Sequence, residues 1–193
     1  MLLDMAAQKI GIENYFSYTS SNRQIDNSNL LCLQHHSNFL LEIRSNYDAT
    51  NSFSINAGKS FAFSNDKISA SVKPMIGFVI GSIKGLSFNA DHEIEWRSLY
   101  FSSKVQYFLS SRLQDENFLY IWLESGICFF KNFFSGFSLQ RSFLTTQSSP
   151  WSKGLVIGFS SGRWSFPIYL FDPFSCRENF VVGVFYNIDF QKR

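Results

Sequence analysis

Proline is rare in this chain, 4 in 193 residues, glycine is modest at 11, and only three cysteines occur. Cys32, Cys128 and Cys176 are odd in number, far apart and outside any CxxC, so neither a disulfide framework nor a zinc ligand set is indicated. No apolar run approaches the roughly 18 residues of a membrane helix. There is no Lys/Arg block or basic stripe, and the net charge of +2 implies no nucleic-acid partner. No Gly-rich phosphate loop is present, and no cofactor or metal is expected. A shortage of Ala, Glu and Lys argues against a helical protein. The first eight residues, Met1 to Gln8, are too short for a signal peptide and carry no basic n-region; Ala6-Ala7-Gln8 reads as the remains of a cleavage site. Residues 1–8 are therefore read as a leader remnant or N-terminal tail, 9–190 as one domain and 191–193 as a C-terminal tail.

What the chain has is aromatic bulk: 23 Phe, with aromatics at 18%, in a sequence whose mean hydropathy is only −0.05. Aromatic and β-branched residues favour strands. The pattern has period 2 almost throughout. Leu86, Phe88, Ala90, His92, Ile94 and Trp96 alternate with Ser87, Asn89, Asp91, Glu93 and Glu95. Phe180, Val182, Val184, Tyr186, Ile188 and Phe190 alternate with Val181, Gly183, Phe185, Asn187 and Asp189. Twelve such segments are predicted, at 9–20, 27–35, 39–47, 52–63, 67–80, 85–96, 98–109, 117–128, 132–143, 153–161, 163–171 and 179–190. Each has the length of a tilted transmembrane strand. The second and third could also be one long strand, because Leu31, Leu33, Phe39, Leu41 and Ile43 keep one parity through His36-Ser37-Asn38.

The connections alternate long and short, as in barrels with short periplasmic turns and longer outer loops. The predicted fold is therefore all-β, an antiparallel up-and-down transmembrane β-barrel of about twelve strands, with ten as the alternative. Rings gather on the short-turn side: Phe61, Phe63, Trp96, Tyr100, Phe130, Phe133, Trp164 and Phe190 are read as the aromatic girdle at the membrane interface. Pro74 and Pro167 fall inside predicted strands, where bulges or strand ends would accommodate them.

Several phrases carry a resemblance: Arg44-Ser45-Asn46-Tyr47, Lys73-Pro74-Met75-Ile76-Gly77 with Gly81, Asn117-Phe118-Leu119-Tyr120-Ile121-Trp122-Leu123-Glu124, Gln140-Arg141, and the closing strand to Phe190. From about residue 40 onward the chain resembles an uncharacterised family of bacterial outer-membrane β-barrel proteins. The resemblance implies a barrel in the Gram-negative envelope, partnered by the lipid bilayer and the barrel-assembly machinery, and it implies no activity. Gln191-Lys192-Arg193 beyond Phe190 departs from the usual aromatic terminus.

The inward polar set is the candidate site. Glu42, Arg44, Asn46, Asp91, Glu93, Glu95, Lys104, Gln106, Tyr120, Trp122, Glu124 and Gln140 share the face opposite the apolar stripe. One reading is a pore lining for small polar solutes, with a transverse field between carboxylates and Arg44 or Lys104. The other is a plug, in which Arg44 and Lys104 pair with Glu93 or Glu124 and aromatics fill the rest. The expected function is a non-enzymatic envelope protein, either a narrow porin-like channel or a structural barrel. Two other classes remain in view: a lipid-modifying barrel enzyme, and a soluble lipocalin-like barrel holding an apolar ligand. For an enzyme the histidines available are His35, His36 and His92, with Ser37 beside the first pair.

Overall fold

The computed structural model describes residues 9–21, 23–112, 116–145 and 149–190. The tails expected at 1–8 and 191–193, and Ser148 of one predicted loop, lie outside these. The strands among the described residues are β1 (Lys9–Thr19), β2 (Gln24–Gln34), β3 (Phe39–Ser45), β4 (Ser52–Lys59), β5 (Phe61–Ser64), β6 (Ile68–Gly81), β7 (Gly85–Trp96), β8 (Leu99–Ser110), β9 (Phe118–Phe129), β10 (Phe133–Leu144), β11 (Ser152–Ser161), β12 (Trp164–Phe171) and β13 (Asn179–Asp189).

Except for β4 and β5, which both pair with β6, each strand pairs antiparallel with its sequence neighbour, and β1 pairs with β13, so the sheet closes on itself. The thirteen segments make twelve staves. Phe61 opposite Val72 continues the register set by Gly58 opposite Met75, so β4 and β5 are one stave interrupted at Ser60. The cause is Pro74, which has no N–H to donate at the break. Ser60 keeps its other neighbour: its N–H donates to the carbonyl of Asn38 at 2.8 Å, the next rung after Phe39 opposite Lys59. At Pro167 the ladder between β12 and β13 skips two rungs and resumes in the same register. A Cβ on Gly183, facing the ring, would lie 2.7 Å from Pro167 Cγ, so only glycine leaves the ring its space. Neither proline makes a bulge: each costs ladder bonds without shifting register. β2 and β3 are separate strands, joined through a turn at His35–Asn38 where Asn38 has positive φ.

Every ladder keeps one register from end to end. Carried once round the ring, these registers return to β1 about 14 residues further along, which for twelve strands means a tilt of about 40° and a diameter of about 22 Å if the section were round. The pleat sends alternate residues to opposite sides. Ile76, Phe78, Phe88, Ile94, Phe137, Leu155 and Ile157 point outward and are exposed, while Glu42, Arg44, Ser54, Asn56, Ser87, Asn89 and Gln106 point inward and are buried. An apolar exterior around a charged interior is the arrangement hydrocarbon requires and water penalises, so the barrel is transmembrane and the soluble-barrel reading is set aside.

Candidate functional site: the lumen

The ring order places β1 and β8 six staves apart, on opposite walls. Lys104 Nζ on β8 nevertheless meets Glu13 Oε2 on β1 at 2.8 Å. Two extended side chains joined by a hydrogen bond span about 14 Å between their Cα atoms, well short of the diameter of a round barrel of this size. The cross-section is therefore an oval, with β1 and β8 on its flat sides. The same ammonium lies 3.4 Å from Tyr15 Oη and 5.8 Å from the ring centroids of Tyr15 and Tyr47. Tyr15 Oη donates to Glu13 at 2.7 Å, and its ring stands 6.3 Å from that of Trp122 on β9. Lys104, Glu13, Tyr15, Tyr47 and Trp122 thus form a crossbar through the middle of the lumen.

On the long-loop side of the crossbar lies a vestibule of about 450 Å³, lined among others by Ser17, Asp48, Gln106, Tyr120, Gln140 and Asn179. One wall is polar and closely knit. Arg44 Nε donates to Glu42 Oε1 at 2.6 Å, and its Nη1 reaches Asn89 at 3.2 Å and Asp48 at 3.5 Å. Asp48, in the loop between β3 and β4, also accepts from Ser54 and Gln106, each at 2.5 Å. That loop therefore folds into the barrel instead of standing above it. Asn56 Oδ1 accepts from Ser87 and Asn89 at 2.7 and 3.0 Å. The opposite wall is aromatic: Trp122 meets Tyr169 and Phe171 edge-on at 5.3 and 5.5 Å, beside Val156 and Val181. Gly158 makes this wall possible, since a Cβ there would come within 2.1 Å of the Phe134 ring.

On the short-turn side, Lys73 Nζ meets Glu93 Oε1 at 2.8 Å while the Glu93 side chain stays 57% exposed. Tyr100 Oη donates to Glu124 at 2.9 Å. Asp91 faces inward on the rung shared by Lys73 and Lys104, and Glu95 opens toward the mouth.

Of the twelve residues read as luminal, eleven stand on inward strand positions; Asn46 lies just past β3 with positive φ, its side chain accepting from Asn51 N. The expected ion pairs are corrected. Arg44 pairs with Glu42, because residues two apart on a strand share a face, and with Asp48, because the β3–β4 loop folds inward. Lys104 pairs with Glu13, because the oval brings β1 within reach. Glu93 takes Lys73, and Glu124 takes a phenol. Sequence reasoning missed Glu13, Tyr15, Tyr47, Asp48 and Lys73. Parity would have found Glu13, Tyr15 and Lys73; nothing local marks Tyr47, which ends the strand predicted at 39–47 on the outward parity, or Asp48, which follows it.

Phe61, Phe63, Trp96, Phe130, Phe133, Trp164 and Phe190 all stand exposed at the short-turn end. Tyr100 does not join them; it has the inward parity of Lys104 and Gln106 and its hydroxyl serves the lumen. The rings of His35 and His36 meet at a tilt, with centroids 3.6 Å apart, in the exposed β2–β3 turn, and Ser37 Oγ lies 2.9 Å from His35 Nδ1. His92 lies on the outer face, 3.1 Å from Ser103 Oγ, where each group satisfies the other against hydrocarbon.

Solved porins have the same architecture. A KdgM porin aligns over 91% of this chain and 98% of its own, with a TM-score of 0.64 at 14% identity. A KdgM porin in complex with disordered oligogalacturonate covers the same shares at 0.66 and 13%. The NanC porin aligns with a TM-score of 0.63 at 12% identity, again over 91% and 98%. No family model matches the chain, and no curated protein sequence matches it significantly. The chain is thus similar in fold to these porins: a closed, antiparallel, twelve-strand transmembrane barrel.

Proposed function

We propose that this protein is an outer-membrane channel for small polar solutes, narrowed at mid-depth by the Lys104–Glu13 crossbar. The observation that carries the reading is a lumen in which a wall of charge and amide faces an aromatic one, holding a vestibule of about 450 Å³ above one constriction. That volume lies in the range of small-molecule sites. The fold likeness to porins supports a bacterial outer-membrane location and assembly by the barrel-insertion machinery, with the short turns in the periplasm and the rings at that end serving as the interface girdle. The chain is read as non-enzymatic.

Planar-bilayer recording of the purified protein tests this. Small discrete openings are expected, and Lys104→Ala should raise the single-channel conductance by removing the crossbar's longest arm. Silence from both proteins would replace the channel with a structural barrel plugged by its own side chains.

A further inference from the structure

The chain as a whole carries 17 Lys and Arg against 15 Asp and Glu. The interior reverses this. Along the lumen between the two mouths, the described residues place seven carboxylates, Glu13, Glu42, Asp48, Asp91, Glu93, Glu95 and Glu124, against three cations, Arg44, Lys73 and Lys104. The formal luminal charge is −4 inside a chain of net +2; the other basic side chains lie at the rims, on the outer face or outside the described residues. A second, geometric observation points the same way. All three luminal cations are already engaged: Arg44 with Glu42 at 2.6 Å, Lys73 with Glu93 at 2.8 Å, Lys104 with Glu13 at 2.8 Å. Among the described residues that line the vestibule, the charged side chain is that of Asp48, and Arg44 behind it is committed to Glu42 and Asp48.

An anion entering this lumen would find no uncommitted cation to exchange for its hydration shell. A cation would find Asp91 and Glu95, which have no ion-pair partner among the described residues. Low-dielectric walls strengthen that preference by focusing the field along the axis. We infer that the lumen is a cation-selective filter that passes cationic and uncharged solutes and rejects acidic ones. This rests on the channel reading above and adds the chemical class of what passes.

The test is the reversal potential of the bilayer-inserted protein under a tenfold KCl gradient, followed by liposome swelling with arabinose and with galacturonate as probes. The expected result is a reversal potential on the K⁺ side of zero and faster swelling with arabinose. Asp91→Asn/Glu95→Gln should at least halve the cation-to-anion permeability ratio while openings persist. Openings with a chloride preference, or galacturonate entering as fast as arabinose, would overturn the filter and leave the channel standing. Absence of openings and of swelling would overturn the channel, and the filter with it.

Discussion

Arg44 shows what a luminal residue must satisfy. Its guanidinium and the carboxylates of Glu42 and Asp48 are almost fully enclosed, at 3%, 4% and 1% side-chain exposure. Enclosed charges are tolerated when they neutralise one another, and removing one partner of such a set costs about 3–5 kcal/mol. Arg44→Met should therefore destabilise the barrel by about that amount in urea titrations of vesicle-inserted protein. Glu42→Gln/Arg44→Met should lose less, because only Asp48 is then left, and Asp48 keeps its bonds from Ser54 and Gln106. A double variant as unstable as the single would show that Arg44 acts through packing and not through charge. The inward orientation of Glu42 and Arg44 was legible in the alternation, since a strand residue's face depends only on its parity. Their partnership was not, because facing one lumen leaves open which neighbours lie within reach.

At the scale of the strand, the outward stripe sets a depth scale. Ile157, in the middle of β11, is 55% exposed, and Ile94 lies one pleat from Trp96 at the short-turn end of β7. An arginine on the lipid face costs about 2–4 kcal/mol at the midplane and about 0–1 near the headgroups. Ile157→Arg should therefore impair refolding into vesicles strongly and Ile94→Arg only slightly, measured as the folded fraction against lipid ratio. Equal effects would mean that the girdle does not mark the interface. Strand boundaries were legible to within about three residues, because the alternation and the alternating loop lengths are both local signals. The interruption at Ser60 was not: it arises in Lys59–Phe61 but is caused by Pro74 on the next stave. Tyr100 was misplaced for a related reason. It neighbours Trp96 in sequence, yet β7 and β8 are joined by Arg97-Ser98, after which the inward residues are the even-numbered ones.

At the scale of the molecule, strand count and shear fix the perimeter of the barrel but not its shape. The shape comes from the interior, where Lys104 and Glu13 draw β1 and β8 together and Tyr15, Trp122, Tyr169 and Phe171 fill one side. No sequence pattern announces a contact across 91 residues between side chains of opposite walls, so the lining could be foreseen while the crossbar could not. The oval makes a prediction that a round barrel does not share. Spin labels on outward cysteines at Ile12 and Val105 report the short axis, at the level of the crossbar. Labels at Ala57 and Ile157, mid-depth on β4 and β11, lie on staves that are also six apart and report a direction roughly perpendicular to it. With Cys32, Cys128 and Cys176 replaced by serine, pulsed dipolar spectroscopy in vesicles should give a clearly shorter distance for the first pair. Adding Lys104→Met should lengthen that distance and shorten the other, because a closed ladder of fixed perimeter can widen along one axis only by narrowing along the other. Equal distances in the parent protein would mean a round section, in which Lys104 and Glu13 stand too far apart to touch.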